Sequence, residues 1–329
     1  MINEKYVKTI LFDNFKNNKS ILCGFAYGSA ALKQNNNKPK MLDLILIVNN
    51  IYNFHSFNLN QNYKHYSFLC RLLGPKGVAY LNSLEPFILF NHSVNMVFNN
   101  ETSQLVKYGV ISKDSILYQL NNYNSLYTLG RMQKPIIMAD NNKLIVDIIS
   151  HNKKIALFLS ILISKDTKNF KEVLHNIISL SYLGDIRFYL KGEKSTKIND
   201  ILYGSYNNIY NEYISLYNNL NELNININEF KCNIKINSCK LAILNNLPNK
   251  LLLNIQKKTN FKCLSLKDFK KIMYHFDDEF LIDIVRNFLT KMNFNSSLKA
   301  LFINFITSPV IKGTNYVIAK LKKGILNNI

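Results

Sequence analysis

The stretch Ile21-Leu22-Cys23-Gly24-Phe25-Ala26-Tyr27-Gly28-Ser29-Ala30, followed after a polar loop by Met41-Leu42-Asp43-Leu44-Ile45-Leu46-Ile47-Val48, decides the fold of this chain. The first run is apolar and strand-length, and Gly28-Ser29 ends it in a tight turn. Ala31-Leu32 reads as the start of a helix, so the order is strand, turn, helix. The second run is apolar throughout except for Asp43. A lone carboxylate between Leu42 and Leu44 is costly to bury unless a cation accompanies it. A glycine lets backbone approach an anion closely, and a serine hydroxyl with a helix N-terminus supplies donors.

These residues fit a clamp for a nucleoside triphosphate, with the phosphates on Gly28-Ser29 and Mg²⁺ on Asp43. The spacing also allows Asp43 to sit on an edge strand facing water. The layout resembles the nucleotidyltransferase superfamily, with one departure. That superfamily usually carries a second acid two positions after the first, and Ile45 stands there in this chain.

Outward from this core, residues 3–17 read as an entry helix, and residues 49–64 as a long polar connection holding His55, with His65 just beyond. Residues 66–73 form a short helix. Residues 95–98, 105–111 and 135–138 read as strands, and 113–129 as a helix. From residue 142 the pattern turns helical, over 144–164, 170–183, 265–273 and 277–292. Residues 218–237 approach low complexity. The chain is therefore α/β in its first half and largely helical in its second.

The chain has 329 residues and is 47% hydrophobic, enough for a packed core. No apolar run approaches the roughly 20 residues of a spanning helix. Lys+Arg 41 against Asp+Glu 21 gives a net charge of +20, a field that favours polyanions: nucleic acid, nucleotide phosphates or an acidic membrane surface. Lysine is the default cation, so the arginines (Arg71, Arg131, Arg187 and Arg286) mark places that want a planar guanidinium. The five cysteines form no CxxC pair and read as reduced thiols. The start has no secretory pattern. Its lysines are mixed with Glu4 and Asp13, which leaves an organelle address open.

Further blocks carry a closer resemblance. They are Phe25-Ala26-Tyr27-Gly28-Ser29, Met41-Leu42-Asp43-Leu44-Ile45, and Phe54-His55 with Asn58-Leu59, Asn62 and His65-Tyr66-Ser67. Lys107-Tyr108-Gly109-Val110-Ile111, Leu126-Tyr127, Gly130-Arg131-Met132-Gln133-Lys134-Pro135, Ser181-Tyr182, Gly184-Asp185, Arg187 and Lys312-Gly313 follow in order. Together they resemble the mitochondrial translocator assembly and maintenance family, the mitochondrial phosphatidate cytidylyltransferases. Phe54 stands where that family usually has Trp, and Ala30 where it usually has Gly.

The resemblance implies an α/β nucleotidyltransferase-like domain over 1–140, and a mainly helical second domain over 141–300 for which it suggests a winged-helix form. It implies CTP and phosphatidic acid as substrates, giving CDP-diacylglycerol upstream of phosphatidylglycerol and cardiolipin. Magnesium would lie on Asp43, with Asp185 as candidate second ligand and Glu193 behind it. Asp185 also reads as a helix cap or a partner of Arg187. Lys107, Arg131, Lys134 and Arg187 would meet phosphate oxygens; Gly28, Ser29, His55, His65, Tyr66 and Ser67 would line the substrate. The expected location is the matrix face of the mitochondrial inner membrane, peripherally bound. Residues 301–329 are basic and amphipathic, with Lys312, Lys320, Lys322 and Lys323 opposite Val317, Leu321 and Ile325, which suits an anionic membrane surface. A helix docked on the body is the other reading of this tail. No nucleic-acid partner is expected. An RNA-directed nucleotidyltransferase and a non-enzymatic import-maintenance factor are the rival readings.

Overall fold

A computed structural model describes residues 2–30, 41–98, 102–164, 170–218, 240, 243–257, 259 and 261–308. Its centre is a five-stranded mixed sheet in the order β3-β4-β2-β1-β5. The strands are β1 (Ile21–Tyr27), β2 (Leu42–Val48), β3 (Leu89–Phe98), β4 (Thr102–Ser112) and β5 (Ile137–Met138). β2 is central: it pairs antiparallel with β1 and parallel with β4. β3–β4 and β1–β5 are antiparallel. The α/β expectation for the first half agrees with this sheet, and both strands quoted at the outset are its inner members.

Side chains alternate across a sheet, and here both faces are buried. On one face Ala26, Leu44, Leu46, Val106 and Val110 pack under helix α1 (Glu4–Phe15), whose Val7, Ile10 and Leu11 are buried against them. On the other, Phe25, Ile45, Ile47, Phe90 and Ile111 join the helices of the second half in one continuous core. Each fully buried Val, Leu, Ile or Phe among them contributes about 1.5–3 kcal/mol against its exposed state.

Residues 49–64, expected as a polar connection, are instead mostly helix: α2 (Ile51–Gln61), opened by Asn50, whose side chain accepts from the Asn53 amide. The abundance of Asn hid a stripe of Phe54, His55, Asn58 and Leu59, all buried. Helix α3 (Phe68–Ser83) is longer than expected and is interrupted at Gly74, where φ is 63°. β3 begins at Leu89, earlier than the strand predicted from residue 95. The single helix expected over 113–129 is α4 (Lys113–Asn122), a turn, and α5 (Leu129–Met132). The helix expected after Gly28-Ser29 lies in residues 31–40, outside the described residues.

The second half is helical: α6 (Lys143–Leu162), α7 (Phe170–Ser179), α8 (Ile186–Tyr189), α9 (Lys197–Gly204), α10 (Tyr206–Asn218), α11 (Asn249–Gln256), α12 (Leu266–His275) and α13 (Asp278–Thr307). α6 is its axis, buried without a break from Ile155 to Leu162. α13 runs past the end predicted for it at 292 and returns to the sheet domain: Lys299 pairs with Glu85, and Ser67 Oγ donates to the Ile306 carbonyl at 3.3 Å. The low-complexity stretch 218–237 lies almost wholly outside the described residues, and so does the tail from 309 to 329. No helix among the described residues is long and apolar enough to cross a membrane.

Candidate active site

Asp43 lies on β2, opposite Tyr27 of β1 on one side and Lys107 of β4 on the other. The odd positions of β2 face the core shared with the second half, so Asp43 is on the same face as Ile45 and Ile47. β1 ends at Tyr27, and Gly28, with a φ of 70°, opens a 3₁₀ turn over Gly28–Ala30. A Cβ at Gly28 would stand 3.5 Å from Asp43 Oδ2. The carboxylate therefore abuts the bend, and Ser29 is exposed beside it.

Four cations gather on this face. Lys107 Nζ lies 4.4 Å from the centre of the Phe90 ring. Burial lowers its pKa, while Asp43 acts the other way and favours the ammonium. The Arg131 guanidinium lies over Tyr127 at 4.2 Å and over Tyr27 at 5.4 Å. Arg187 is gripped by Asp185, with Nη2 2.6 Å from Oδ2 and Nε 3.0 Å from Oδ1, and Glu193 stands 3.5 Å from Nη1. Lys134 Nζ donates to the Gly130 carbonyl at 2.7 Å and to Ser181 Oγ at 2.9 Å. Burial, then Arg131 and Arg187, pull Lys134 down to about 7. Four basic groups face Asp43, Asp185 and Glu193 here, a positive balance that suits an anionic ligand.

Asp185 was expected as a second magnesium ligand. It is buried, caps α8 by accepting from the Arg187 amide at 2.9 Å, and has both oxygens on the Arg187 guanidinium. Burial would raise its pKa, but Arg187 holds it below the ordinary carboxylate value. The capping and ion-pairing alternative is what this geometry displays. Among the described residues no three or more His, Cys, Asp or Glu side chains are grouped as a metal cage. One hard oxygen donor beside the Gly28–Ala30 turn suits Mg²⁺, which commonly takes one or two protein carboxylates and completes its shell with substrate phosphates and water.

The histidine block is not part of this cluster. Tyr108, next to Lys107 on β4, faces the opposite side of the sheet and anchors a buried network there. Asn58 Nδ2 donates to the hydroxyls of Tyr108 at 2.8 Å and Tyr66 at 2.9 Å. His55 bonds Tyr66 through Nδ1 at 2.8 Å and Asn82 Oδ1 through Nε2 at 2.9 Å, and His65 Nδ1 bonds Tyr108 at 3.1 Å. Ser67 caps α3 through the Cys70 amide. Of the residues expected to line the substrate, His55, His65 and Tyr66 are bonded into this network and Ser67 caps α3, away from the face that holds Asp43 and Lys107. Both nitrogens of the fully buried His55 are spent internally, and one residue of strand alternation puts Tyr108 and Lys107 on opposite faces.

Three residues not predicted for the site enter it. Tyr127 lies under Arg131, and its hydroxyl accepts from Asn304 Nδ2 at 3.3 Å. Burial would raise that phenol, but Arg131, Lys107 and Arg187 bring it below its usual value. His92 Nε2 stands 3.5 Å from Asn304 Oδ1. Burial and then Lys107 push this histidine down to about 3. Tyr127 sat inside a quoted block, four residues before Arg131. Asn304 had no signal at all in a chain so rich in Asn.

A family model described as "Phosphatidate cytidylyltransferase, mitochondrial" matches residues 9–323. Relatives with that same description include one from Caenorhabditis briggsae, 28% identical over 308 residues, covering 91% of this chain and 92% of the relative. One from Caenorhabditis elegans is 28% identical over 256 residues, covering 76% and 77%. One from Danio rerio is 34% identical over 188 residues, covering 54% and 53%.

Proposed function

The chain belongs to the family of mitochondrial phosphatidate cytidylyltransferases, and from that premise we propose how its residues carry the reaction. CTP and phosphatidic acid give CDP-diacylglycerol and pyrophosphate. Each relative named above has that lipid activity in its description, and none is described as acting on RNA. The finer features are our proposals: a nucleotidyltransferase-like fold for 1–140 with a helical second domain, magnesium, and peripheral binding to the inner membrane.

The nucleophile is an oxygen of the lipid phosphate, which attacks the α-phosphorus of CTP while the bond to pyrophosphate breaks. A phosphate monoester is already mostly ionised near neutral pH, so no strong base is needed. What the protein must supply is alignment and neutralisation of crowded negative charge. Gly28 and Ser29 would receive the triphosphate. Magnesium, held by Asp43 and the phosphates themselves, would screen charge on the triphosphate. Lys107, Arg131, Lys134 and Arg187 would meet the non-bridging oxygens of the two substrates. We assign Asp185 to orienting Arg187, because a bidentate pair fixes the plane of a guanidinium. His55, His65, Tyr66 and Ser67 would support the sheet from behind.

The observation that carries the site reading is the 3.5 Å approach of Asp43 Oδ2 to a Cβ built on Gly28, on the face that also holds Lys107. The test is an assay of purified protein with Mg²⁺, each of the four nucleoside triphosphates, and vesicles containing phosphatidic acid. CDP-diacylglycerol should form with CTP alone. Transfer to RNA without transfer to lipid would overturn the reading.

A further inference from the structure

Two exposed apolar surfaces from distant parts of the sequence meet beside the site. At the start of α3, Phe68 is 71% exposed and Leu72 is 75% exposed, with Leu69 and Leu73 also exposed on the same stripe. In the last turns of α13, Phe302 is 66% exposed and Phe305 is 75% exposed, next to Leu298 and Leu301. The two helix ends touch: Ser67, the cap of α3, donates to the carbonyl of Ile306. A single large apolar side chain in solvent is ordinary. A contiguous group of aromatic and leucine side chains on two packed helix ends is not.

The charge around the patch is one-sided. No acidic residue occurs from 44 through 84, a segment that includes all of α3, and none occurs after Asp283. Lys64 and Lys76 are exposed around the α3 part of the patch. Glu85, at the contact between α3 and α13, is already paired with Lys299, so the rim carries a net positive charge. Apolar side chains ringed by lysine are the composition of a surface that sinks into an anionic lipid interface.

Its position gives the surface a purpose. Asn304 reaches inward to Tyr127, in the field of Lys107 and Arg131, while Phe302 and Phe305, on the same turn, face outward. One turn of α13 thus separates the cationic site from the apolar patch. A lipid whose phosphate must enter that site while its acyl chains stay in a bilayer requires this adjacency.

We propose that the joined ends of α3 and α13 form a membrane-docking surface that sits the site's mouth on an anionic bilayer. The proposal rests on the phosphatidate reading above and specifies how the substrate is reached. Insertion of Phe68, Leu72, Phe302 and Phe305 would let phosphatidic acid rise from the leaflet without leaving it.

The test uses the full chain, its Phe68→Ser/Leu72→Ser and Phe302→Ser/Phe305→Ser variants, and flotation on vesicles of phosphatidylcholine with phosphatidylglycerol. Each double variant should bind about tenfold more weakly or worse, since burying side chains of this size is worth at least that factor. Turnover of vesicle-embedded phosphatidic acid should fall in step, while turnover of a dispersed short-chain phosphatidic acid should persist. Unchanged thermal unfolding would confirm intact variants. Wild-type flotation by both variants would overturn the proposal. So would unchanged flotation with a lowered unfolding temperature, which would mean that the patch is covered by residues 309–329 or by another copy of the chain. Absence of any CTP-dependent turnover by the wild type, with flotation lost in the variants, would instead strike the catalytic reading and leave the docking surface standing.

Discussion

Asp43 and Lys107 occupy paired positions on the parallel strands β2 and β4, side by side on one face of the sheet. Asp43 favours the ammonium of Lys107 against the burial that lowers it. The pair is thus a carboxylate and a cation held in fixed register by backbone hydrogen bonds, with Gly28 at one end. Replacing Asp43 by Asn should keep the fold and lower kcat by about 100-fold or more, the scale seen when a preorganised electrostatic group is removed. Circular dichroism and steady-state rates with varied Mg²⁺ would check this.

Gly28→Ala places a side chain at a φ of 70° and a methyl 3.5 Å from Asp43 Oδ2. The left-handed backbone alone costs about 1–2 kcal/mol. Because the new methyl also fills space at the turn proposed to receive the triphosphate, KM for CTP should rise more than stability falls. Denaturant unfolding and initial rates on one preparation would separate the two effects.

Lys134, held at about 7 by burial and by Arg131 and Arg187, supplies a pH dependence. Its charged form predominates below that value and is lost above it. Binding of CTP to the free protein should therefore weaken as pH rises through 7, and binding near pH 7 should take up a proton. Lys134→Arg stays charged and should remove that limb of the profile. Calorimetry in buffers of different ionisation enthalpy would read the proton.

His55 has its pKa lowered to about 4 by burial, with Asn82 opposing. The unfolded chain takes up a proton near 6.5 that the folded chain resists down to about 4. Stability is thus whole above 6.5 and falls as pH drops from 6.5 toward 4, by at most about 3 kcal/mol for this residue. His55→Gln should flatten that slope while leaving turnover at neutral pH within a few-fold, as expected of a group across the sheet from Asp43. A large loss of turnover in a folded variant would place the histidine block back in the site.

Tyr127→Phe removes the hydroxyl that Asn304 reaches. The Arg131 ring contact survives in the variant. Expected is a rise in KM for phosphatidic acid of several-fold with a smaller change in kcat, and Asn304→Ala should match it. Non-additive effects in the double variant, measured by kcat/KM, would establish that the two act together.

The sequence by itself determined the inner strands, the glycine bend and the carboxylate beside it. Each depends on neighbours within a few positions: an apolar run, a residue that tolerates positive φ, and one acid where none should be cheap. It also determined the family, because motif blocks survive along the chain in order. Helix α2 was hidden because abundant Asn masks helical spacing, although Phe54 and Leu59 carry it. What the tertiary structure alone decided is the sidedness of the site. Lys107 and Tyr108 are adjacent in sequence, yet a strand sends them to opposite faces, so His55 and His65 fall behind the sheet while Arg131 and Tyr127 fall in front. Asn304 joins Tyr127 only because α13 folds back across the sheet domain, a contact between residues 177 positions apart. Local pattern fixes what a residue is able to do; the register of the sheet and the return of a distant helix fix which residues do it together.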